Sequence, residues 1–572
     1  MIKKIFTFAL TAVFIQLTAE AQDDKIKFSA YGRALQQTNR LGEKDTLNVD
    51  NTSAGHVLVD LGIQMNPDKK TEIGAIVRLR SELGGFFGVG AQAVLRQAYL
   101  KGIIGDFLGY KVGDMHLSLS PYTLFNDFSE GSVNEARIFS DLRKDFVYYE
   151  NLNLGRNTWW QQGAHADFTL GFQKVLQSVR VDGFFLRNRN ATGAGIIAMP
   201  QRFHAGGRIT AKQSKNLSII YNYINLFDVG ATVGTTRERR NPVNTVELYS
   251  TFMNRPGLKL GFDAEGGTSQ LIFKGENVPS RNGFFFDGGL TAGLNRINLK
   301  ASYRLVSQGF FSSGAQSKRV NFAGTPEVFP IYGNDPFNPY NREVTLFDLV
   351  RDPSVYNVAI TDVLMPYNIM YGNAEPYGRA TPNRTGVTLD GTYTDSLERV
   401  KVQLTGSFLS EASDLQKAGG LRNFLVGRAA FDLNIHKFVG FTKRVILSGG
   451  YMYEKTNRSG SAATKVDLTN HLIDAGLEVE VFKRFDLLGG MKMLSSNGNE
   501  VISSINQYNR YVLPMPVKVN QTQNMYAFGL KYRFTANTYI TLQQHMFSLD
   551  NKLVSDRSYS INQWLIFFNM NF

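Results

Sequence analysis

Seven histidines have the widest chemical range in this chain: His56, His116, His165, His204, His436, His471 and His545. Imidazole acts as a metal ligand or general base when suitable partners stand at fixed spacing. No HExxH, HxH or Cys/His pattern surrounds any of the seven, and no GxSxG elbow occurs. Asp114 and His116 lie two apart in Gly113-Asp114-Met115-His116, which puts both on one face of a strand. One such pair falls short of a metal site or a triad. The chain has no cysteine, which excludes disulfides and thiolate metal sites. The expectation is a protein with no enzyme activity, no cofactor and no resident metal.

Charge carries the remaining chemistry. Arg78, Arg80, Lys259, Lys300, Arg304, Lys401, Arg428, Lys531 and Arg533, with the acids Glu478 and Glu480, occupy alternate positions in otherwise apolar runs. Ile297, Leu299, Ala301, Tyr303 and Leu305 alternate with Asn298, Lys300, Ser302 and Arg304. Tyr526, Phe528, Leu530, Tyr532 and Phe534 alternate with Lys531 and Arg533. Period two places the two sets on opposite faces of a strand. A basic group on a lipid face costs about 2–4 kcal/mol at mid-membrane, so these residues are candidates for lining an interior. A charged interior implies either water or ions tightly paired across the lumen. The first reading is a polar channel whose basic residues favour anionic or hydroxyl-rich solutes. The second is mutual pairing with no transport role.

The elements that must position these charges run the whole length of the chain. About 22 segments of roughly 9–13 residues show the alternation, the length a tilted strand needs to cross a hydrocarbon layer. With Lys27–Gln37 as the first strand, the gaps after even-numbered strands are short, as at Asn66-Pro67-Asp68-Lys69, Asn254-Arg255-Pro256-Gly257 and Thr535-Ala536-Asn537. Gaps after odd-numbered strands are longer and polar, near 38–54, 120–157, 227–243, 307–385 and 495–520. Outer-membrane barrels sort their connections in this way, and a soluble sandwich has no reason to. Two segments break the rhythm. One is 120–157, with a mixed run over 127–145 and Trp159-Trp160 just beyond. The other is 307–385, which holds eight of the sixteen prolines. Proline removes ladder donors, so 307–385 is not wall. Its Phe329, Tyr332, Phe337, Tyr340 and Phe347 provide apolar surface for packing, and Arg342, Arg351 and Asp352 provide charge for the wall. It is expected to fold at least partly into the lumen.

The N-terminus points to export. Lys3 and Lys4 precede an apolar run from Ile5 to Leu17, and Ala19-Glu20-Ala21 is a small-x-small cleavage site. A signal peptide over 1–21 is expected, followed by one domain over 22–572. No apolar stretch long enough for a helical span follows. A mean hydropathy of −0.19 alongside 42 Phe and 25 Tyr suits strands that dilute apolar residues with polar ones. The net charge of +13 raises the question of nucleic acid, but an exported chain more naturally meets anionic headgroups or carries an anion-favouring lumen.

The last run carries a resemblance. Trp564, Ile566, Phe568, Met570 and Phe572 share one parity, while Gln563, Asn569 and Asn571 take the other, with Leu565 and Phe567 between them. A terminal strand of this kind resembles the closing strand of bacterial outer-membrane β-barrels. Taken with the sorted loops, the chain looks like outer-membrane porins and related channels. The resemblance implies an all-β fold, a single closed antiparallel transmembrane barrel of about 22 strands in the outer membrane. It implies that Trp564, Phe568 and Phe572 form the signal read by the barrel-assembly machinery. Outer-membrane lipid and small polar solutes are the other implied partners, with no nucleic acid. Loop style resembles barrels of Bacteroidota. A strand count near 22 resembles TonB-dependent receptors, but the first strand begins too soon after Gln22 for their plug domain. The implied function is passive diffusion of small polar or anionic solutes, narrowed by 307–385. The alternative is a barrel serving as scaffold or accessory subunit of a surface complex for secretion, motility or polysaccharide capture.

Overall fold

Apolar–polar alternation becomes strands whose two faces meet different media. In the strand Met515–Arg533, Tyr526, Phe528 and Leu530 are exposed while Met525 and Ala527, on the alternate positions, are fully buried. Twenty-two strands of this kind form one antiparallel sheet. The first, Ile26–Glu43, pairs with the last, Tyr559–Asn571, in a register running from Tyr31 opposite Asn571 to Glu43 opposite Tyr559. That ladder closes the ring, so no strand edge is left to lipid. The computed structural model describes residues 25–43, 51–83, 90–126, 134–153, 158–159, 161–191, 200–229, 238–274, 279–317, 320, 322, 343–356, 360, 364–414, 420–502 and 515–571. The expected signal peptide, Phe572, Trp160 and the loop residues Phe329, Tyr332, Phe337, Tyr340 and Arg342 lie outside these.

Wall strands range from 8 residues at Leu108–Met115 to 19 at Met515–Arg533, wider than the expected spread. The ladder satisfies the backbone in water as well as in lipid, so hairpins continue past the hydrocarbon layer. Parity sorting of the connections holds. Turns such as Pro256-Gly257 and Lys483-Arg484 fall at the end that carries Ile26 and Asn571, the periplasmic end of an outer-membrane barrel. Gly257 adopts φ 81°, the left-handed conformation that a two-residue turn needs. The long segments 116–160 and 307–383 leave from the opposite end.

Facing follows the expected parity. Leu299, Tyr303, Leu404, Phe528 and Tyr532 are 46%, 47%, 54%, 58% and 39% exposed on the outer surface. Trp564 is 50% exposed on that surface, and Phe568 shares its face. Single cysteines in this cysteine-free chain provide a direct check. Cysteine at position 401 is expected to react with a water-soluble thiol reagent in reconstituted barrels, and cysteine at 404 is expected to stay unreactive. Labelling at 404 alone would invert the assignment.

The interior is packed, and both rhythm-breaking segments build it. Wall residues Leu468, Leu472, Leu494, Met525, Phe547, Leu565 and Phe567 face inward and join one buried cluster with Leu124, Ile138, Phe139, Val147, Phe310, Leu346, Phe347 and Leu349. A helix runs from 137 to 151, wound as α over Arg137–Leu142, as π over Arg143–Tyr148 and again as α over Tyr149–Asn151. It approaches the wall closely. A Cβ at Gly476 would lie 2.2 Å from Ala136 Cβ, and one at Gly490 would lie 2.6 Å from Ile138 Cγ2. A second helix, Leu346–Arg351, starts in a capping box between Thr345 and Asp348 and is buried on every side. Its first amide and the Tyr371 hydroxyl both donate to Gln523 Oε1 of the wall, at 3.0 and 2.9 Å. The two segments touch each other: Phe125 N–H donates to Gly314 O at 3.0 Å, and Arg143 Nη1 to the Tyr356 hydroxyl at 2.6 Å. The 307–383 segment meets wall residues toward the loop end, such as Thr456 and Glu500, while the helix 137–151 meets Lys531 and Glu478 toward the periplasmic end.

Candidate functional site

The candidate lumen residues share the inner face, where pairing dominates. Lys300 reaches Asp263 at 2.6 Å and Arg304 reaches Glu375 of the in-folded segment at 2.5 Å. Lys531 binds Asp141 of the helix at 2.6 Å. Arg533 spans Glu480 and Asp486 at 2.9 and 2.7 Å. Glu478 holds Arg137 of the helix at 3.1 Å and Arg444 of the wall. Arg80 pairs with Glu82 at 2.5 Å. Lys401 stands 3.9 Å from Glu398 at the exposed periplasmic rim, where Lys259 is also exposed. Arg428 Nε has no hydrogen-bond partner among the described residues. Arg351 acts electrostatically on His545 of the wall. Its guanidinium lies 4.1 Å from the ring of Phe347 in its own helix, and Glu375 and Arg379 make this segment's ion pairs to Arg304 and Asp287. Of the two readings of the charged interior, tight pairing describes most of these residues.

Two clusters that no local pattern marks tie the helix 137–151 to the wall. At its N-terminal end, Lys492 is fully buried and bridges Glu135 at 2.8 Å and Asp474 at 2.7 Å. Arg143 grips the same Glu135 with two bonds of 2.9 and 2.7 Å. Burial alone would raise the Glu135 carboxyl, but Arg143 and Lys492 outweigh it and hold the carboxyl below its ordinary range. At the C-terminal end, Glu150 accepts from Arg33 and, at 2.5 Å, from Arg78, with Arg80 at 4.0 Å. Asp60 accepts from Arg78 Nε and Nη2 at 2.8 Å, from Arg96, and from the Tyr149 hydroxyl at 2.6 Å. Tyr149 stacks on Tyr31 with centroids 3.7 Å apart, and Arg96 lies 4.0 Å above its ring. Burial works against the Glu150 anion, yet Arg33 and Arg78 hold its pKa down at about 2. Asp145, half-buried on the same helix, is shifted the other way: burial raises it.

Sequence reasoning singled out Arg78 and Arg80 and missed Arg33, Asp60, Arg96, Glu135, Glu150, Asp474 and Lys492. One available signal was Lys492 at an inward position in Leu488–Leu494, a lone charge between Leu488 and Leu494, which are both buried. Asp114 Oδ2 accepts the amide of Ala98 at 2.6 Å. Near the periplasmic mouth, His165, Asp167 and Asp182 converge, but Arg180 lies 3.2 and 2.8 Å from the two carboxylates and already supplies their cation. Two cavities flank the packed layer on its periplasmic side. One of about 1160 Å³ is lined by Lys70, Glu72, Lys101, Lys111 and Asp167. The other, about 470 Å³, lies under the helix 137–151 among Tyr31, Asp60, Lys144, Tyr149, Lys531 and Arg533.

No protein family and no curated protein matches the sequence. Among solved structures, the chain is similar to a BenF-like porin from Pseudomonas fluorescens Pf-5, at 8% identity over 96% of this chain and 99% of that one, with a TM-score of 0.36. It is similar to OccK5 (OpdH) of Pseudomonas aeruginosa at 10% identity, over 96% and 98% of the two chains, with a TM-score of 0.36. OccK8 (OprE) of the same organism stands at 12% identity with the same coverage and a TM-score of 0.36. The pairing of its own strands, rather than this distant likeness, makes the chain a closed 22-stranded transmembrane β-barrel of the outer-membrane type.

Proposed function

We propose that the protein is an outer-membrane channel for small polar solutes, anions in preference to cations, with its path narrowed by the two in-folded segments. The carrying observation is the pair of charged cavities below the packed layer. Basic side chains slightly outnumber acidic ones around each, with Lys25, Lys69, Lys70, Lys101 and Lys111 at the larger and Arg137, Lys144, Arg444, Lys531 and Arg533 at the smaller. Solute reaching such a cavity stays hydrated and meets a weakly positive lining. A barrel of this strand number is wide, so material in the lumen is what sets the bore. The 307–383 segment is the larger contribution to that material.

The density of the interior cluster favours a second reading, a sealed barrel that acts as scaffold or accessory subunit in a surface complex. Planar-bilayer recording of the purified wild type separates them. The channel reading expects discrete conductance steps and a reversal potential, under a salt gradient, of the sign set by anion selectivity. Silent bilayers containing correctly folded barrel would overturn it in favour of the scaffold.

A further inference from the structure

The wall around Glu150 carries more positive charge than it neutralises. Arg33, Arg78, Arg80 and Arg96 project from the strands Ile26–Glu43, Thr71–Glu82 and Ala91–Ile104, the first separated from the other two by Asn51–Asp68. Among the described residues, the wall carboxylates paired with them are Asp60 and Glu82, and His56 Nε2 accepts from Arg33 Nε at 3.0 Å. The carboxylate that completes the set is Glu150, and it comes from the in-folded helix. Its two oxygens divide between two guanidiniums, the arrangement by which arginines recognise any free carboxylate. Arg33 is buried, and the cluster is bordered by a cavity and by one part-exposed arginine. The cavity of about 470 Å³ touches Asp60 and Tyr149, and Arg80 keeps 34% of its side chain exposed. The helix that delivers Glu150 is π-wound over Arg143–Tyr148, a form that occurs mostly as single-turn bulges within α-helices and is frequent at functional sites. Rewinding it to α rotates Glu150 relative to the wall.

We propose that Arg33, Arg78 and Arg80 form a binding site for small carboxylates that the protein occupies with its own Glu150, and that a carboxylate solute displaces Glu150 and frees this end of the helix. The displacement step rests on the channel reading, but the site itself does not. A tethered ligand competes at an effective concentration in the millimolar range or above, so the wild type masks the site from dilute solute. Removing the tethered carboxylate unmasks it.

The test is calorimetric titration of acetate and of succinate into purified, detergent-solubilised barrel at constant ionic strength, with folding verified by heat-modifiable gel migration. Glu150→Ala is expected to give a saturable one-site isotherm at least about ten-fold tighter than wild type, and acetate, but not chloride, to raise its thermal midpoint. Adding Arg78→Met is expected to abolish both effects. Where alanine loosens the helix too far to hold the barrel, Glu150→Gln keeps the shape without the charge and carries the same expectation. Binding no tighter than wild type in the folded variant, or binding that survives Arg78→Met, overturns the site. Bilayer recording stands apart: a silent barrel whose Glu150→Ala form binds succinate keeps the site and removes the channel, and a conducting barrel without that binding does the reverse.

Discussion

Replacing residues 322–377 with a short Gly-Ser linker raises single-channel conductance several-fold in planar bilayers. The deletion removes the helix Leu346–Arg351, whose Leu346, Phe347, Leu349 and Val350 are fully buried inside the barrel. It also removes the bonds from Tyr371 to Gln523 and from Asn373 to Thr456 and Glu500, which fasten the segment to the inner wall. The wall closes without it: Ile297–Val306 pairs directly with Arg384–Thr394 along its whole length. Diameter depends on strand number, so the ring keeps its width while the bore widens. Conductance equal to wild type would show that ions pass where this segment does not reach, and that its bulk does not set the bore.

Glu135→Ala releases the helix 137–151 from the wall. The substitution leaves Arg143 without its two-bond partner and Lys492 with Asp474 as its remaining anion, both in the packed interior. Breaking a buried pair by removing one partner costs about 3–5 kcal/mol. Trypsin cleavage at Arg137 and Lys144 is expected to accelerate by about 100-fold or more while the barrel keeps its heat-modifiable migration. Loss of the barrel together with the helix would instead show that the wall depends on its contents. The same contact makes a pH statement. The Glu135 carboxyl is held below its ordinary value, so its stabilisation is complete above the unfolded-state pKa and is lost as pH falls through the lowered one. Near-UV circular dichroism of the wild type should therefore be flat above about pH 5 and decay only below about pH 4, and Glu135→Ala should lack that acid step.

Parity was the most legible property. It assigned Leu404 and Phe528 to lipid and Arg304 and Arg533 to the interior, because a strand in a barrel wall has two faces and lipid tolerates only one kind of residue. Leu565 and Phe567 sat awkwardly in that scheme, being apolar on the inward side. Both are 1% exposed, packed into the interior cluster. Leu488 and Leu494, on the same inward parity as Lys492, carried the same information. Inward apolar positions in a wide barrel imply something to pack against, and that implication was available at the level of residues. What filled the space was less legible. The Arg351 guanidinium rests beside Phe347, a contact within its own helix that no alternation of charge marks.

From sequence alone come the closed strand ring, its sorted connections, the facing of each wall residue and the departure of 307–385 from the wall. These follow from a period of two, from strand length and from proline, all local properties that act within one hairpin. The tertiary structure decided which charges meet. Glu150 reaches Arg33 and Arg78 across 117 and 72 residues of chain, and Lys531 reaches Asp141 across 390. Pairs so distant leave no trace in spacing, because ring closure, not chain proximity, brings them together.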